Sequence, residues 1–453
     1  MQRTALALTA LAALACGKKT DVPAHAESPI KGLERVSGEG PYLAGSTERF
    51  RAVAAEPGEL SFAASGGRLS AQGAEVAWEL PDAEAAELTV ALKAADGTSR
   101  SQSFRFGLVR SNALAATAGA YDATTDSIAE CALAFDGAGN PHIAYVNTMH
   151  PSIWWARWTG SAWQNQQVDG MGFDTGGAVS GRIGFAVASD GTPHFAYVLD
   201  ASGPTGPASG PGLWYATRSG ASWVRERLDG SLPYAYTSGV RLALDASRSG
   251  RPTAAYTTYS PTAGAYRIGI AYRTGANAWT AQAVANSAST CSQSHLGGLA
   301  ISGGTVYVTG RTDCSNYDNW LGAWTSGATL SAAVRFTTQY SSEAPAPVAL
   351  DGTRFVTMRQ GEVFHVKPGA SLSDAQVIAS PVEYTSIDKY ALAFGSRPHV
   401  ALIHNGALEL VTTDAAGYWT YTQLATSTGN PANVSLALDG AGAPHVCWGK
   451  QYQ

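Results

Sequence analysis

The chain has 453 residues and a formal net charge of −5; only 14% of its residues are charged, 50 are Gly, and 19 Tyr with 12 Trp stand against 30 Lys and Arg. Such a length exceeds one ordinary domain, so two domains or a repeat array are expected, and the Gly and aromatic content favours short strands and tight turns over helices. The mild charge excludes the basic footprint of nucleic-acid binding and the acidic run of a solvating tail.

Residues 1–15 carry one Arg and an apolar stretch from Ala5 to Ala15 that ends in small residues ahead of Cys16. The pattern is that of an export signal, too short to span a membrane as a mature helix, and no second apolar run of spanning length follows. The stretch Ala13-Leu14-Ala15-Cys16 resembles a bacterial lipoprotein signal, with Leu one place later than the commonest pattern. That resemblance implies that Cys16 is lipidated and becomes the mature N-terminus. Gly17, where inner-membrane members of that family carry aspartate, implies the outer membrane or cell surface. Acyl chains contribute about 0.8 kcal/mol per buried CH2, so two or three of them anchor a protein without a transmembrane helix. Cleavage by ordinary signal peptidase is the alternative. Residues 16–34 mix charges, Pro and Ala without an apolar period and are expected to be a flexible tether.

Across residues 35–110 the pattern turns to alternation: ERFRAVAA, GELSFAA, AEVAWEL, AELTVALKA and SQSFRFGLV are strand-length runs separated by turn residues. Strands this short and this close together make a small β-sandwich. Their order resembles the immunoglobulin-like domains of bacterial surface proteins, although there is no cysteine pair and Phe62 stands where such domains often have a core tryptophan. The resemblance implies a spacer, with a glycan or protein module as the second reading.

Residues 111–453 are a repeat array. CALAFDGAGNPHIAYV (131–146), IGFAVASDGTPHFAYV (183–198), YALAFGSRPHVALI (390–403) and VSLALDGAGAPHVCW (434–448) are copies of one hairpin, and divergent copies begin at 240, 296 and 347. A second hairpin follows all but the last, so a complete unit is a four-stranded meander. Such a unit cannot bury both faces or protect its edges alone, and radial packing solves both problems. The expected fold is therefore all-β: a seven-bladed β-propeller preceded by the sandwich, with a six-bladed ring as the alternative. The last unit has only two strands, and Leu114–Gly119 is read as an outer strand closing the ring on it.

His142, His194, His399 and His445 follow the turn proline at one equivalent place. Equivalent positions around a ring do not converge, so these histidines are expected to bond neighbouring turn carbonyls rather than a metal, and no cofactor is expected. Trp163, Trp223, Trp279 and Trp419, with Leu330 and Leu372, recur once per unit and are expected between blades. TTDAAGYW, ending at Trp419, resembles the Asp-box of sialidases and related propellers, with one extra residue and a Tyr before the Trp; where complete, that motif is structural. Beyond Cys16 four cysteines remain. Folding a hairpin at Gly303-Gly304 brings Cys291 nearly opposite Cys314, and closing the ring makes Cys131 and Cys447 neighbours, so these two disulfides are expected.

The connections from strand two to three and from one unit to the next emerge on one face, and they are long and varied. The candidate binding residues lie on or beside them: His150 and Asp174; Tyr234 and Tyr236; Tyr259 and Tyr266; Arg311, Asp313, Tyr317, Asp318 and Trp320; Arg359; Tyr384 and Asp388. Tyr and Trp stack on sugars and anchor protein contacts equally well. The leading reading is a surface-anchored, non-catalytic propeller that recognises glycan or protein on this face. A sialidase-like enzyme is the second, although the Arg-Ile-Pro signature of that family is absent, and an envelope assembly factor is the third. No HExxH, GxSxG, P-loop or CxxC motif occurs.

Overall fold

In a computed structural model the protein is described at residues 29–37, 42, 44–83, 85–108, 128–147, 151–170, 178–200, 212–229, 239–260, 265–284, 294–312, 319–325, 331–336, 347–351, 354–359, 362–366, 376–379, 389–404, 406–413, 419–425 and 430–451. The chain forms two compact units, Met1–Leu108 and Val109–Gln453. Among the described residues the one helical element is the short turn Ala246–Arg248.

The first unit is a two-sheet sandwich of β1 (Ile30–Arg35), β2 (Thr47–Ala54), β3 (Gly58–Ala64), β4 (Arg68–Gln72), β5 (Glu75–Glu79), β6 (Ala85–Ala94) and β7 (Ser99–Gly107). One sheet has the order β1-β2-β5-β4 and the other β3-β6-β7. Period-two alternation sends Phe50, Val76 and Trp78 from the first sheet and Leu88 and Phe106 from the second into one core. Two sequence expectations are corrected here. Strand β1 begins at Ile30, inside the expected tether, because Ile30 is buried and the segment pairs with β2. The enclosed tryptophan is Trp78 on β5, whose Nε1 donates to Gly66 O at 2.9 Å, whereas Phe62 is only partly buried at the margin of the core.

In the second unit β8 (Ile128–Phe135), β9 (Pro141–Asn147), β10 (Ser152–Trp158) and β11 (Trp163–Gly170) form the first sheet, and β12 (Ala178–Val187), β13 (Pro193–Asp200), β14 (Gly212–Ser219) and β15 (Ser222–Asp229) the second. The third is β16 (Val240–Asp245), β17 (Arg251–Ser260), β18 (Ala265–Gly275) and β19 (Ala278–Val284), and the fourth is β20 (Ser294–Ser302), β21 (Thr305–Thr312), β22 (Asn319–Trp324) and β23 (Ser331–Phe336). The fifth comprises β24 (Val348–Asp351), β25 (Arg354–Arg359), β26 (Glu362–Val366) and β27 (Gln376–Ala379), and the sixth β28 (Lys389–Phe394), β29 (Pro398–His404), β30 (Ala407–Thr413) and β31 (Trp419–Ala425). The last sheet is the pair β32 (Asn430–Leu438) and β33 (Pro444–Gln451). Each is an antiparallel meander. The first strand of each sheet packs against the first strand of the next, and β32 packs against β8, which closes the cycle. Meanders packed radially about their first strands make a β-propeller.

The apolar clusters lie between sheets rather than within them, as radial packing requires. Trp223 of the second sheet meets Trp155 of the first edge-on at 5.8 Å, and Trp279 of the third meets Tyr215 of the second at 5.0 Å. Trp163 packs on the cluster that holds Cys131 and Cys447. Those cysteines are joined as a disulfide with Cα atoms 6.3 Å apart across 316 residues of sequence. Leu330, Leu372 and Leu114–Gly119 lie outside the described residues, and the side chain of Trp419 is not described.

Candidate functional site

Among the described residues the first strand of each sheet in the ring pairs with its second strand, and its other edge is turned toward the first strands of the neighbouring sheets. Side chains of neighbouring first strands bond several of its backbone groups. Glu130 Oε2 accepts the Ile183 amide at 3.2 Å, and Arg241 Nε donates to Gly297 O at 3.1 Å. Asn433 reads both backbone groups of Cys131, accepting its N–H at 3.0 Å and donating to its C=O at 2.8 Å, while Ser435 Oγ accepts the Leu133 amide at 3.2 Å.

These side chains border an axial cavity of about 240 Å³ to which the first strands of all the sheets contribute, with Pro347 and Val348 standing for the fifth. Its charged walls are Glu130, Arg241 and Lys389, and its neutral polar walls include Tyr390, Asn433 and Ser435. In the third, fifth and sixth sheets the opening residues of the first strand line it. In the first, second, fourth and last sheets the lining residues lie within the first strand, so the cavity runs along the middle of the ring's inner wall.

Of the candidate binding residues, His150, Asp174, Tyr234, Tyr236, Asp313, Tyr317, Asp318, Tyr384 and Asp388 lie outside the described residues, as do Cys16, Cys291 and Cys314. Tyr259 pairs across β17–β18 with Tyr266, Trp320 with Gly310, Arg311 with Asn319, and Arg359 with Glu362. All sit where strand two runs toward strand three, and among them only the Arg311 side chain is described, partly buried. The cavity-lining Glu130, Lys389, Asn433 and Ser435 were not singled out in the sequence. For Glu130 and Lys389 the signal was a shared column of the repeat: each pairs with the residue four beyond the repeat histidine, Val146 and Ile403.

The histidines take side-chain partners rather than the expected turn carbonyls. His142 is fully buried; its Nδ1 accepts from Trp155 Nε1 at 3.2 Å, and its Nε2 lies 3.4 Å from Asp136 Oδ2. His445 Nε2 meets Asp439 Oδ2 at 3.0 Å. The turn carbonyls of Asn140 and Ala443 already accept the amides of Asp136 and Asp439, and each Asp folds one oxygen over turn amides while the other faces the ring. His194 Nδ1 meets Tyr215 OH at 2.6 Å, and His399 Nδ1 meets Thr412 Oγ1 at 2.7 Å. Burial pushes His194 and His399 down to about 4. Among the described residues no three His, Cys, Asp or Glu side chains converge in a way that would hold a metal ion.

No family model matches the chain, and no curated protein matches it. Among solved structures it is similar to a Hadza microbial sialidase, at 10% identity over 78% of this chain and 76% of that one with a TM-score of 0.42. It is also similar to a fungal lectin from Aleuria aurantia described as a six-bladed β-propeller, at 15% identity over 68% and 98% of the two chains and a TM-score of 0.39. A protein of unknown function from Dyadobacter fermentans matches at 11% identity over 66% and 94%, with a TM-score of 0.43. Likenesses of this depth carry neither a blade number nor a ligand to this chain.

Proposed function

We propose that this protein is a surface-anchored, non-catalytic glycan-binding propeller: lipidated at Cys16, raised on an immunoglobulin-like spacer, and built as a seven-bladed ring that binds at the end joined by its long connections. The observation that carries the reading is the axial cavity, to which every first strand of the ring contributes. Seven blades rather than six are supported by β32, which packs between β28 and β8 as a first strand of its own. Glu130, Arg241 and Lys389 give the described cavity wall charged groups, and Asn433 and Ser435 give it neutral hydrogen-bonding groups.

The test is a glycan-array screen of the whole detergent-extracted protein beside a hydrolysis assay on the same sugars. Retention of a glycan without sugar release is the expected result. Sugar release would make the protein a glycosidase, and retention of nothing would point to the envelope-assembly reading. The anchor is tested separately, by labelled fatty acid entering the wild type and not the Cys16→Ala variant.

A further inference from the structure

Between the first three sheets of the ring the seams are held by side chains of outer strands: Trp223 against Trp155, and Arg273 with Trp279 on Glu226. The seam between the last sheet and the first has two described strands on one side, and other devices hold it. Cys447 of β33 is bonded to Cys131 of β8, Asn433 of β32 grips both backbone groups of Cys131, Ser435 accepts the Leu133 amide, and the His445 ring meets Phe135 at 4.8 Å. Cys131 and Ser435 also line the axial cavity. One covalent bond therefore stands at both the closure of the ring and the wall of its central space.

We propose that the Cys131–Cys447 disulfide is a redox latch: its reduction loosens the seam between the last and first sheets and, with it, the cavity wall formed by β8 and β32. The reductant is a dithiol. One of its thiolates attacks a sulfur of the pair, the S–S bond breaks, and a mixed disulfide forms; its second thiol displaces the protein sulfur. Two electrons and two protons then reside on Cys131 and Cys447 as thiols, and the dithiol leaves as a cyclic disulfide. Each cysteine is 4% exposed, so attack follows local opening of the seam and the latch is slow to release in the native state. After release, Asn433 and Ser435 still span the seam, which distinguishes a latch from a bond on which the whole fold depends. The inference stands whatever the cavity binds.

The test is hydrogen exchange of the whole protein, oxidised and after treatment with dithiothreitol, with thiol trapping to follow the pair. The expected result is at least a tenfold (~10×) rise in exchange in peptides covering residues 128–135 and 430–438, with residues 240–258 unchanged. Cys447→Ser should show the raised exchange without reductant and no further change in those peptides on adding it, which separates this pair from the other cysteines. Unchanged exchange at the seam after trapping proves the pair reduced would overturn the latch. So would loss of protection in all sheets together, since that marks a staple of the whole fold.

Discussion

Arg273 on the third sheet closes a two-point ion pair with Glu226 on the second, donating from Nε to Oε2 at 3.0 Å and from Nη2 to Oε1 at 2.6 Å, while Trp279 Nε1 donates to the same Oε2 at 2.7 Å. Glu226 is 2% exposed. Burial opposes its ionisation, but the bonds from Arg273 and Trp279 prevail and hold its carboxyl below the usual carboxylate range. Arg273→Met should cost about 3 kcal/mol, the lower end of the range for breaking a buried pair, because water still reaches the guanidinium. The Glu226→Gln, Arg273→Met double variant should be more stable than Arg273→Met alone. Urea denaturation measures both, and a double variant less stable than the single would refute the assignment.

Acid should weaken the ring through His194 and His399, both pushed down to about 4 by burial. Between the ordinary histidine value and that figure the unfolded chain binds protons that the native state refuses, so stability falls as pH falls. The slope is at most about 1.4 kcal/mol per pH unit for each histidine. In His399→Gln one contribution disappears. The stability gap between wild type and variant should narrow from pH 7 to pH 4.5, and a gap independent of pH would contradict the buried neutral ring.

The repeat histidines should behave as independent structural groups. His142→Leu leaves Trp155 Nε1 and Asp136 without that ring and should cost about 1–3 kcal/mol, with His142→Gln costing less. Effects at His142 and His399, on different sheets, should add. EDTA should leave the melting temperature unchanged; a fall that the His142 substitution abolishes would mean a metal.

Close approach of first strands should make two glycines irreplaceable. A Cβ at Gly298 would lie 2.6 Å from Val348 N, and one at Gly184 2.7 Å from the Leu242 amide nitrogen. Alanine at either position should cost about 1–3 kcal/mol. Gly440→Ala, where a Cβ meets nothing within 4 Å, is the control and should stay within about 0.5 kcal/mol. Equal effects at all three would place the strands further apart than they stand.

Mass spectrometry of unreduced peptides should find Cys291 joined to Cys314. Alkylation of either cysteine before reduction would exclude that pairing.

Local pattern made the strand order of the ring legible. The repeated hairpin with its Asp, Gly and Pro turn marks where each meander begins, and alternation in residues 35–110 marks a sandwich. It did not mark Ile30–Arg35 as a strand, because IKGLER has little alternation and Ile30 is buried only by packing with Ala52 of β2 and Val90 and Leu92 of β6. Nor did it separate Trp78 from Phe62. Both lie on short alternating strands, and only the packing of one sheet on the other decides which ring is enclosed.

By itself the sequence determined the all-β class, the period of the array and the equivalence of the histidines, because those depend on residues a few places apart. Asp136 and Asp439 meet His142 and His445 from six residues away, whereas Trp155, Tyr215 and Thr412 reach the rings from the neighbouring strand and needed the folded sheet. The axial cavity depended on tertiary structure more. Asn433 bonds Cys131 across 302 residues only because the ring closes, and Glu130 and Arg241 reach the next first strand because consecutive sheets pack side by side. Among the described residues the inner edges take side-chain partners from neighbouring first strands, because an unsatisfied buried backbone group is costly, and that places Glu130, Arg241, Asn433 and Ser435 at the centre.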